Sequence, residues 1–220
     1  MSAIDERIYA LLHEADEAGN KELNPAGLDE KLTLKEQAEP SMEQMDLNQP
    51  LVLVEGERIP FSRRELLERK ISMILPKTFH VMNGEEAALK YPSEHRPSLI
   101  YTNETGSINL TFSWMNHPLT EEGLGVLTEE MSYMLRANLP IREWKGSGVR
   151  EIVSGERIGY SQYISSGLNA NLYNEMGFAV LEGKTLLCSF NCTEPEMKTW
   201  APLFKSMMDS IQVISGGEDA

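Results

Sequence analysis

Apolar and polar residues alternate along most of the chain from residue 51 onward. Ile108, Leu110, Phe112 and Trp114 occupy every second position, which places their side chains on one face of a strand. Further strands are predicted at 51–59 as a hairpin, 70–75, 99–101, 141–144, 149–153, 157–165, 172–181 and 185–192. Residues 60–68 fit an edge strand or a short helical turn. Short glycine-containing turns join many of these segments, so the predicted sheet is mostly antiparallel.

Helical periodicity marks two longer segments and one short one. Residues 120–139 form the clearest helix, with Thr120 as the predicted N-cap and a buried stripe from Leu124 to Leu135. A second helix follows a capping box at 193–196, although Pro202 is unfavourable within its interior. Residues 84–89 supply one or two helical turns. Strands and helices in this order predict an α+β fold, in which helices cover a mostly antiparallel sheet.

The first 50 residues differ from the rest in charge. They hold 12 acidic and four basic residues, whereas the following 170 hold 22 and 16. Ile4, Ile8, Leu11 and Leu12 have the spacing of an amphipathic helix, which docks on its own domain, docks on a partner or stays mobile. We therefore predict an acidic helical extension at 1–50, a main domain at 51–213 and a flexible tail at 214–220.

Composition and charge exclude several classes of protein. The chain has 220 residues, of which 41% are hydrophobic and 25% charged, unlike a collagen-like or disulfide-scaffold protein. The formal net charge is −14 and no basic stripe occurs, so we expect no binding to nucleic acid. The chain contains no run of 18 apolar residues, and its N-terminus does not resemble a signal peptide. We expect a cytoplasmic protein that does not associate with membranes.

The sequence contains no established catalytic or cofactor motif. The two cysteines, Cys188 and Cys192, lie four positions apart in a predicted strand, too far for a disulfide without a bulge or break. The four histidines are scattered, so no metal site is predicted. The Gly146-Ser147-Gly148 segment leads into another strand, which favours a hairpin turn over a phosphate loop. We therefore predict no catalytic residue, no metal and no cofactor.

A loop bounded by prolines is the first candidate binding site. Lys90, Tyr91, Glu94, His95 and Arg96 lie close together in the sequence between a helix and a strand. Loops on a rigid sheet often carry recognition residues, and the two cations would suit a carboxylate or a phosphate. The alternative is a structural loop in which the prolines direct the chain and Tyr91 packs in the core.

Three tyrosines form the second candidate. Tyr160, Tyr163 and Tyr173 occur on adjacent predicted strands. Such a density of tyrosine suits an exposed sheet face used for binding. Cross-strand aromatic packing is the alternative interpretation.

Several segments resemble the PsbP-like family. The segment ISMILP at 71–76 is followed by Phe79, and the W-x-P-x-F motif at 200–204 precedes Met208 and Ile211. Residues 89–114 are similar to a subgroup of uncharacterised bacterial members. The family takes its name from an extrinsic protein of photosystem II and includes a Ran-binding nuclear import factor. The resemblance covers about 70–212 and implies an α/β/α sandwich that acts by binding, with no active-site residue to transfer.

These observations favour a soluble bacterial binding or adaptor protein without enzymatic activity. Its protein partner is unknown, and the acidic extension would suit a basic one. The first alternative is a carrier of a small ligand or peptide in a cavity between helix and sheet. The second is a secretion-chaperone or immunity-type protein that binds a basic partner. A hydrolase is the remaining possibility and would require Glu94, His95 and a hydroxyl group in one pocket.

Overall fold

The computed structural model describes residues 46, 47, 49, 51–54, 56–92, 96–167 and 169–214. The α-helices are α1 (Gly84–Lys90), α2 (Leu124–Asn138) and α3 (Met197–Asp209), and a short 3-10 helix spans Glu194–Glu196. The strands are β1 (Val52–Val54), β2 (Glu57–Ile59), β3 (Phe61–Leu66), β4 (Ile71–Pro76), β5 (His80–Val81), β6 (Leu99–Thr102), β7 (Asn109–Pro118), β8 (Ile141–Glu151), β9 (Arg157–Ser166), β10 (Asn171–Leu181), β11 (Lys184–Thr193) and β12 (Gln212–Val213). None of the described helices is both long and apolar enough to cross a membrane.

A seven-stranded antiparallel sheet organises the molecule, in the order β5-β6-β7-β11-β10-β9-β8. A second sheet has the order β12-β4-β3, and β1 pairs with β2 as a hairpin. All the described pairings are antiparallel. The predicted α+β class and the mostly antiparallel sheet are therefore confirmed.

The main core lies on one side of the large sheet, called here the first face. Alternate residues of β7 and β11, including Phe112 and Phe190, pack there against α3 and the three-stranded sheet. The rings of Phe190 and Phe204 stack with their centroids 4.7 Å apart. Every residue of β4 is buried, because that strand lies inside this layer.

The opposite side, called the second face, carries α1 and α2. Helix α2 buries Leu124, Leu127, Met131 and Leu135 against β8, β9 and β10. Helix α1 covers a smaller cluster, formed by Met82, Ala87, Tyr91 and Ile100. Large apolar side chains thus cover the two ends of this face. The strip between them contains polar side chains of β7 and β11.

Two predicted elements differ from the structure. Residues 141–144 and 149–153 were predicted as separate strands, but β8 is one continuous strand whose register shifts between Trp144 and Gly146. The glycines occur at a β-bulge, where an extra residue is accommodated without a turn. Helix α2 begins at Leu124 because Thr120 instead bonds the amide of Gly123 and closes a preceding turn.

Residues just beyond both ends of the predicted main domain contact that domain. Leu47, which precedes the predicted boundary, is buried in the main core. At the other end the amide of Ile214 donates to the carbonyl of Lys70 at 2.8 Å. The predicted helix at 4–12 and the last six residues of the predicted tail lie outside the described residues.

Candidate functional site

A transverse row of polar side chains crosses the second face of the large sheet. The strand register places Thr102 opposite Asn109, Asn109 opposite Asn191, and Asn191 opposite Asn174. Residues opposite each other in antiparallel strands point to the same side of the sheet, so these side chains form one row on β6, β7, β11 and β10. Asn109, Asn191 and Asn174 are each at most 2% exposed. Buried amides of this kind require hydrogen-bond partners.

Hydrogen bonds connect one half of the row. The Thr102 hydroxyl donates to Asn109 Oδ1 at 2.9 Å, and Asn109 Nδ2 donates to Asn191 Oδ1 at 2.8 Å. In the other half, Asn174 Nδ2 donates to Ser165 Oγ at 2.9 Å and to the Leu172 carbonyl at 3.0 Å. Each amide is therefore held in a fixed orientation by its neighbours.

Lys90 adds a positive charge to the end of this row. It is the last residue of α1, and its Nζ donates to Asn109 Oδ1 at 2.7 Å and to the carbonyl of Gly106. These two bonds position the ammonium group at the end of the row. The half-buried Lys90 thus forms one connected polar network with Asn109 and Asn191.

A cavity of about 210 Å³ opens beside Lys90. Its lining residues are Lys90, Gly106, Ser107, Asn109, Gly167, Asn169, Ala170, Leu172, Asn191 and Thr193. The turn between β9 and β10 forms the far wall, where the Gly167 amide donates to the Ala170 carbonyl at 3.1 Å. A Cβ atom on Gly167 would lie 2.5 Å from that carbonyl oxygen, so only glycine fits this wall.

Two glutamates stabilise the rim without lining the cavity. Glu196 Oε1 accepts from the Ser107 hydroxyl at 2.8 Å, and Glu196 Oε2 accepts from the Thr193 amide at 2.9 Å. Glu194 Oε2 accepts from Asn171 Nδ2 at 2.7 Å and lies 3.9 Å from Arg142. The Thr193 hydroxyl also donates to Glu196 Oε2, at 2.6 Å, so Glu196 fixes the hydroxyl groups of both Ser107 and Thr193. Among the described lining residues, Lys90 alone carries a formal charge.

The residues of the proline-bounded loop that was the first candidate binding site lie in different environments. Lys90 lies at the cavity, and Tyr91 is fully buried beneath α1 with Met82, Ala87 and Ile100. Arg96 is exposed on the surface. The predicted binding residues Glu94 and His95, and with them the arrangement expected for a hydrolase, lie outside the described residues. The packing of Tyr91 matches the structural interpretation of this part of the loop.

The three predicted tyrosines do not form an exposed face. Tyr163 is buried on the second face, where its ring stacks on Trp144 with centroids 5.9 Å apart. Tyr173 is buried on the first face, and Tyr160 is half-buried there, opposite Gly148. Tyr160 and Tyr163 are three positions apart on one strand, so they must point to opposite sides. The prediction that they share an exposed face is therefore wrong.

A second, larger cavity of about 500 Å³ lies between α3, β4 and the turn after β8. Its lining combines both signs of charge, with Arg63 and Asp209, and apolar side chains such as Ile74 and Val153. Arg63 donates to Ser72 Oγ at 3.0 Å and to the Ser210 carbonyl at 2.9 Å, while Asp209 pairs with Arg150. These charged groups already serve the packing of α3, so this cavity is the weaker candidate.

The buried reactive groups lie away from the polar cavity. Burial raises the pKa of both Cys188 and Cys192, so neither thiol is a reactive nucleophile. Burial also raises the pKa of Glu175, which lies on the first face. No group of three His, Cys, Asp or Glu residues in the described part of the chain is arranged to hold a metal ion.

Sequence comparison and structural comparison give different results. No family model and no curated protein matches the chain. The solution structure of cyanobacterial PsbP from Synechocystis sp. PCC 6803 superposes with a TM-score of 0.52 and 16% identity, covering 70% of this chain and 92% of that one. The chain has the PsbP-like fold. The resemblance seen in the sequence is thereby confirmed at the level of the PsbP-like architecture.

Two further solved structures superpose more distantly. LpqN, described as involved in cell envelope biogenesis of Mycobacterium tuberculosis, has a TM-score of 0.47 and 9% identity, covering 74% of this chain and 95% of that one. A protein from Bacteroides thetaiotaomicron has a TM-score of 0.46 and 13% identity, covering 72% of this chain and 50% of that one.

Sequence reasoning missed the asparagine row. The alternation of β7 places Asn109, Thr111 and Ser113 opposite its apolar face, and this alternation can be recognised in the sequence. The pairing of Asn109 with Asn191 cannot be recognised there, because the two residues are 82 positions apart and meet only through the register of their strands.

Proposed function

We propose that the protein is a non-enzymatic binding protein whose ligand is held in the cavity beside Lys90. The connection from Lys90 through Asn109 to Asn191 carries this proposal, because it holds a lysine and two amides in fixed positions on the wall of one cavity. Cavities with a few fixed polar groups are typical ligand sites. The described lining includes no cysteine, histidine or carboxylate that would act as a nucleophile or a base.

A matched pair of variants tests the site. Lys90→Met removes the charge and the bond to Asn109, while Lys77→Met removes an exposed lysine in a turn after β4. We expect small polar compounds to shift the side-chain amide resonances of Asn109 and Asn191 in the wild-type chain and in Lys77→Met, but not in Lys90→Met. A library that shifts neither resonance at millimolar concentration contradicts the proposal. So does the conversion of a bound compound at a rate that depends on Lys90.

A second candidate function rests on the charge of residues 1–50. Their acidic excess supports an adaptor that recruits a basic protein partner by electrostatic attraction. The test compares the full chain with a full chain carrying Glu14→Gln, Asp16→Asn, Glu17→Gln and Glu22→Gln. A basic protein retained at low salt only by the wild-type chain would support this function. Equal retention by both chains would exclude it.

A further inference from the structure

We infer that β8 is a docking edge for a second copy of this chain, and that two β8 strands pair antiparallel about a two-fold axis at Ser147. Strand β8 forms one end of the seven-stranded sheet and spans 11 residues, whereas β5 at the other end spans two. Within the described residues, β8 pairs only with β9. A long edge strand leaves a row of backbone N–H and C=O groups to which another strand can bond.

A bulge changes the direction of the side chains along β8. The register with β9 shifts between Trp144 and Gly146, so Lys145 has no residue opposite it. Trp144 and Val149 are an odd number of positions apart, which in a regular strand would place them on opposite faces. Both nevertheless pack against the core of the second face, because the extra residue reverses the alternation between them.

The same bulge brings two opposite charges to the first face. Glu143 lies opposite Ile164, whose side chain belongs to the main core. Arg150 pairs with Asp209 of α3, the helix that packs on that face. Glu143 and Arg150 therefore point to the same side of the sheet, near opposite ends of β8.

A two-fold axis at Ser147 matches these side chains in a second copy. If Lys145 is the extra residue in both strands, antiparallel pairing joins residues of the same face: Gly146 with Gly148, Trp144 with Val149, and Glu143 with Arg150. Because the axis repeats each pair, the apolar contact and the pair of opposite charges both occur twice. Arg150 keeps its bond to Asp209, since a guanidinium group has several N–H donors and can hold a second carboxylate.

Without the bulge the same axis would give a poor match. Glu143 would then face Glu151, and Lys145 would face Val149. Like charges directly opposite each other destabilise a strand pair. The residues of β8 therefore complement their own reversed copy through the bulge that the structure contains, which favours a second copy over an unrelated strand.

Sedimentation velocity of the full-length chain across the micromolar range tests the association. We expect a reversible monomer–dimer equilibrium, because one pair of edge strands buries little surface. Glu143→Lys places a like charge opposite Arg150 in both halves of the interface and should weaken the dimer about tenfold or more. Glu104→Lys is the matched control, since it makes the same charge change in the exposed turn between β6 and β7. Backbone amide spectra show whether both variants keep the fold.

A disulfide crosslink tests the register. Ser147→Cys places one thiol of each copy beside the axis, within the Cα separation of about 4.4–6.8 Å that a disulfide spans. Glu151→Cys is the control, because the two copies of residue 151 lie at opposite ends of the paired segment. The native cysteines, Cys188 and Cys192, are buried. Under mild oxidation with copper phenanthroline we expect Ser147→Cys to yield a covalent dimer and Glu151→Cys to remain mostly monomeric.

Three outcomes would overturn the inference. A full-length chain that stays monomeric throughout the micromolar range has no such docking edge, whether β8 is left uncovered or is covered by another segment of the same chain. A dimer that Glu143→Lys and Glu104→Lys weaken equally does not use the edge of β8. Equal crosslinking of Ser147→Cys and Glu151→Cys excludes pairing about Ser147.

Discussion

The hydroxyl of Tyr173 donates a hydrogen bond to Glu175 Oε2 at 2.7 Å, two positions further along β10. Both residues lie on the first face, where each is at most 3% exposed. Burial raises the pKa of Glu175, and the hydrogen bonds from Tyr173 and Gln162 oppose this shift only in part. The core therefore contains a carboxyl group whose ionised form is disfavoured by the fold.

The first prediction concerns the pH dependence that follows from Glu175. Because its pKa is raised in the folded state, the stability contributed by this group is complete below the ordinary value of 4.5. That contribution is lost as the pH rises through the raised pKa. Glu175→Gln keeps an acceptor for Tyr173 and removes the ionisation. We expect the stability of Glu175→Gln to increase relative to that of wild type as the pH rises from 5.5 to 8.5.

Urea unfolding at a series of pH values checks this prediction. Glu130→Gln, on the exposed side of α2, provides the control and should show no such trend. A constant difference between wild type and Glu175→Gln across the range would contradict a raised pKa for Glu175 in the folded state.

Strand periodicity was sufficient to predict β7, β9, β10 and β11, because each has alternating or continuous apolar residues bounded by turns. It was not sufficient for β8. The glycines at 146 and 148 indicated a turn, whereas the bulge keeps the strand continuous through them. Local sequence does not distinguish these cases, since pairing with β9 decides between them.

The candidate site was predictable only in part. Lys90 was identified as a local cation in an acidic chain, but its partner Asn109 was not. The amide row depends on the register between β7 and β11, and the far wall depends on the turn between β9 and β10. Such long-range pairings are set by the packing of the whole sheet, which a single sequence does not display.

The second prediction concerns the close approach of α2 to β9. A Cβ atom on Gly159 would lie 2.0 Å from Thr128 Oγ1 and 3.2 Å from Thr128 Cβ. Gly159→Ala should therefore destabilise the protein by about 1–3 kcal/mol. Thr128→Ala in the same chain should restore part of the loss, because it removes the closer atom. A double-mutant cycle measured by urea unfolding gives the coupling free energy.

Gly125→Ala is the matched control for that cycle. A Cβ atom at Gly125 would meet no atom within 4 Å, and the residue lies within α2. We expect its substitution to raise stability by about 0.5 kcal/mol. Purely additive effects of Gly159→Ala and Thr128→Ala would contradict the predicted contact.

The third prediction concerns the aromatic contact beneath α3. The Trp200 ring is buried, and it stacks on Phe79 with centroids 5.5 Å apart. Trp200→Ala should lower the free energy of unfolding by about 3–5 kcal/mol, because it leaves a cavity in the main core. Tyr133→Ala, on the exposed side of α2, should change it by no more than about 0.5 kcal/mol. Equal urea midpoints for the two variants would contradict the predicted burial of Trp200.

The fourth prediction concerns backbone strain in the turn between β3 and β4. Leu67, Glu68 and Arg69 have φ angles of 51°, 55° and 68°, so three consecutive non-glycine residues adopt the left-handed conformation. This conformation costs a residue with a Cβ atom about 1–2 kcal/mol. The Glu68 side chain is exposed, so Glu68→Gly relieves strain without losing packing. We expect stability to rise by about 0.5–1 kcal/mol, since the greater freedom of glycine in the unfolded chain offsets part of the gain. Lys77→Gly is the control, because Lys77 lies in a turn with no positive φ, and this substitution should lower stability. Changes of opposite sign in the free energy of unfolding, measured with urea, would locate the strain at Glu68.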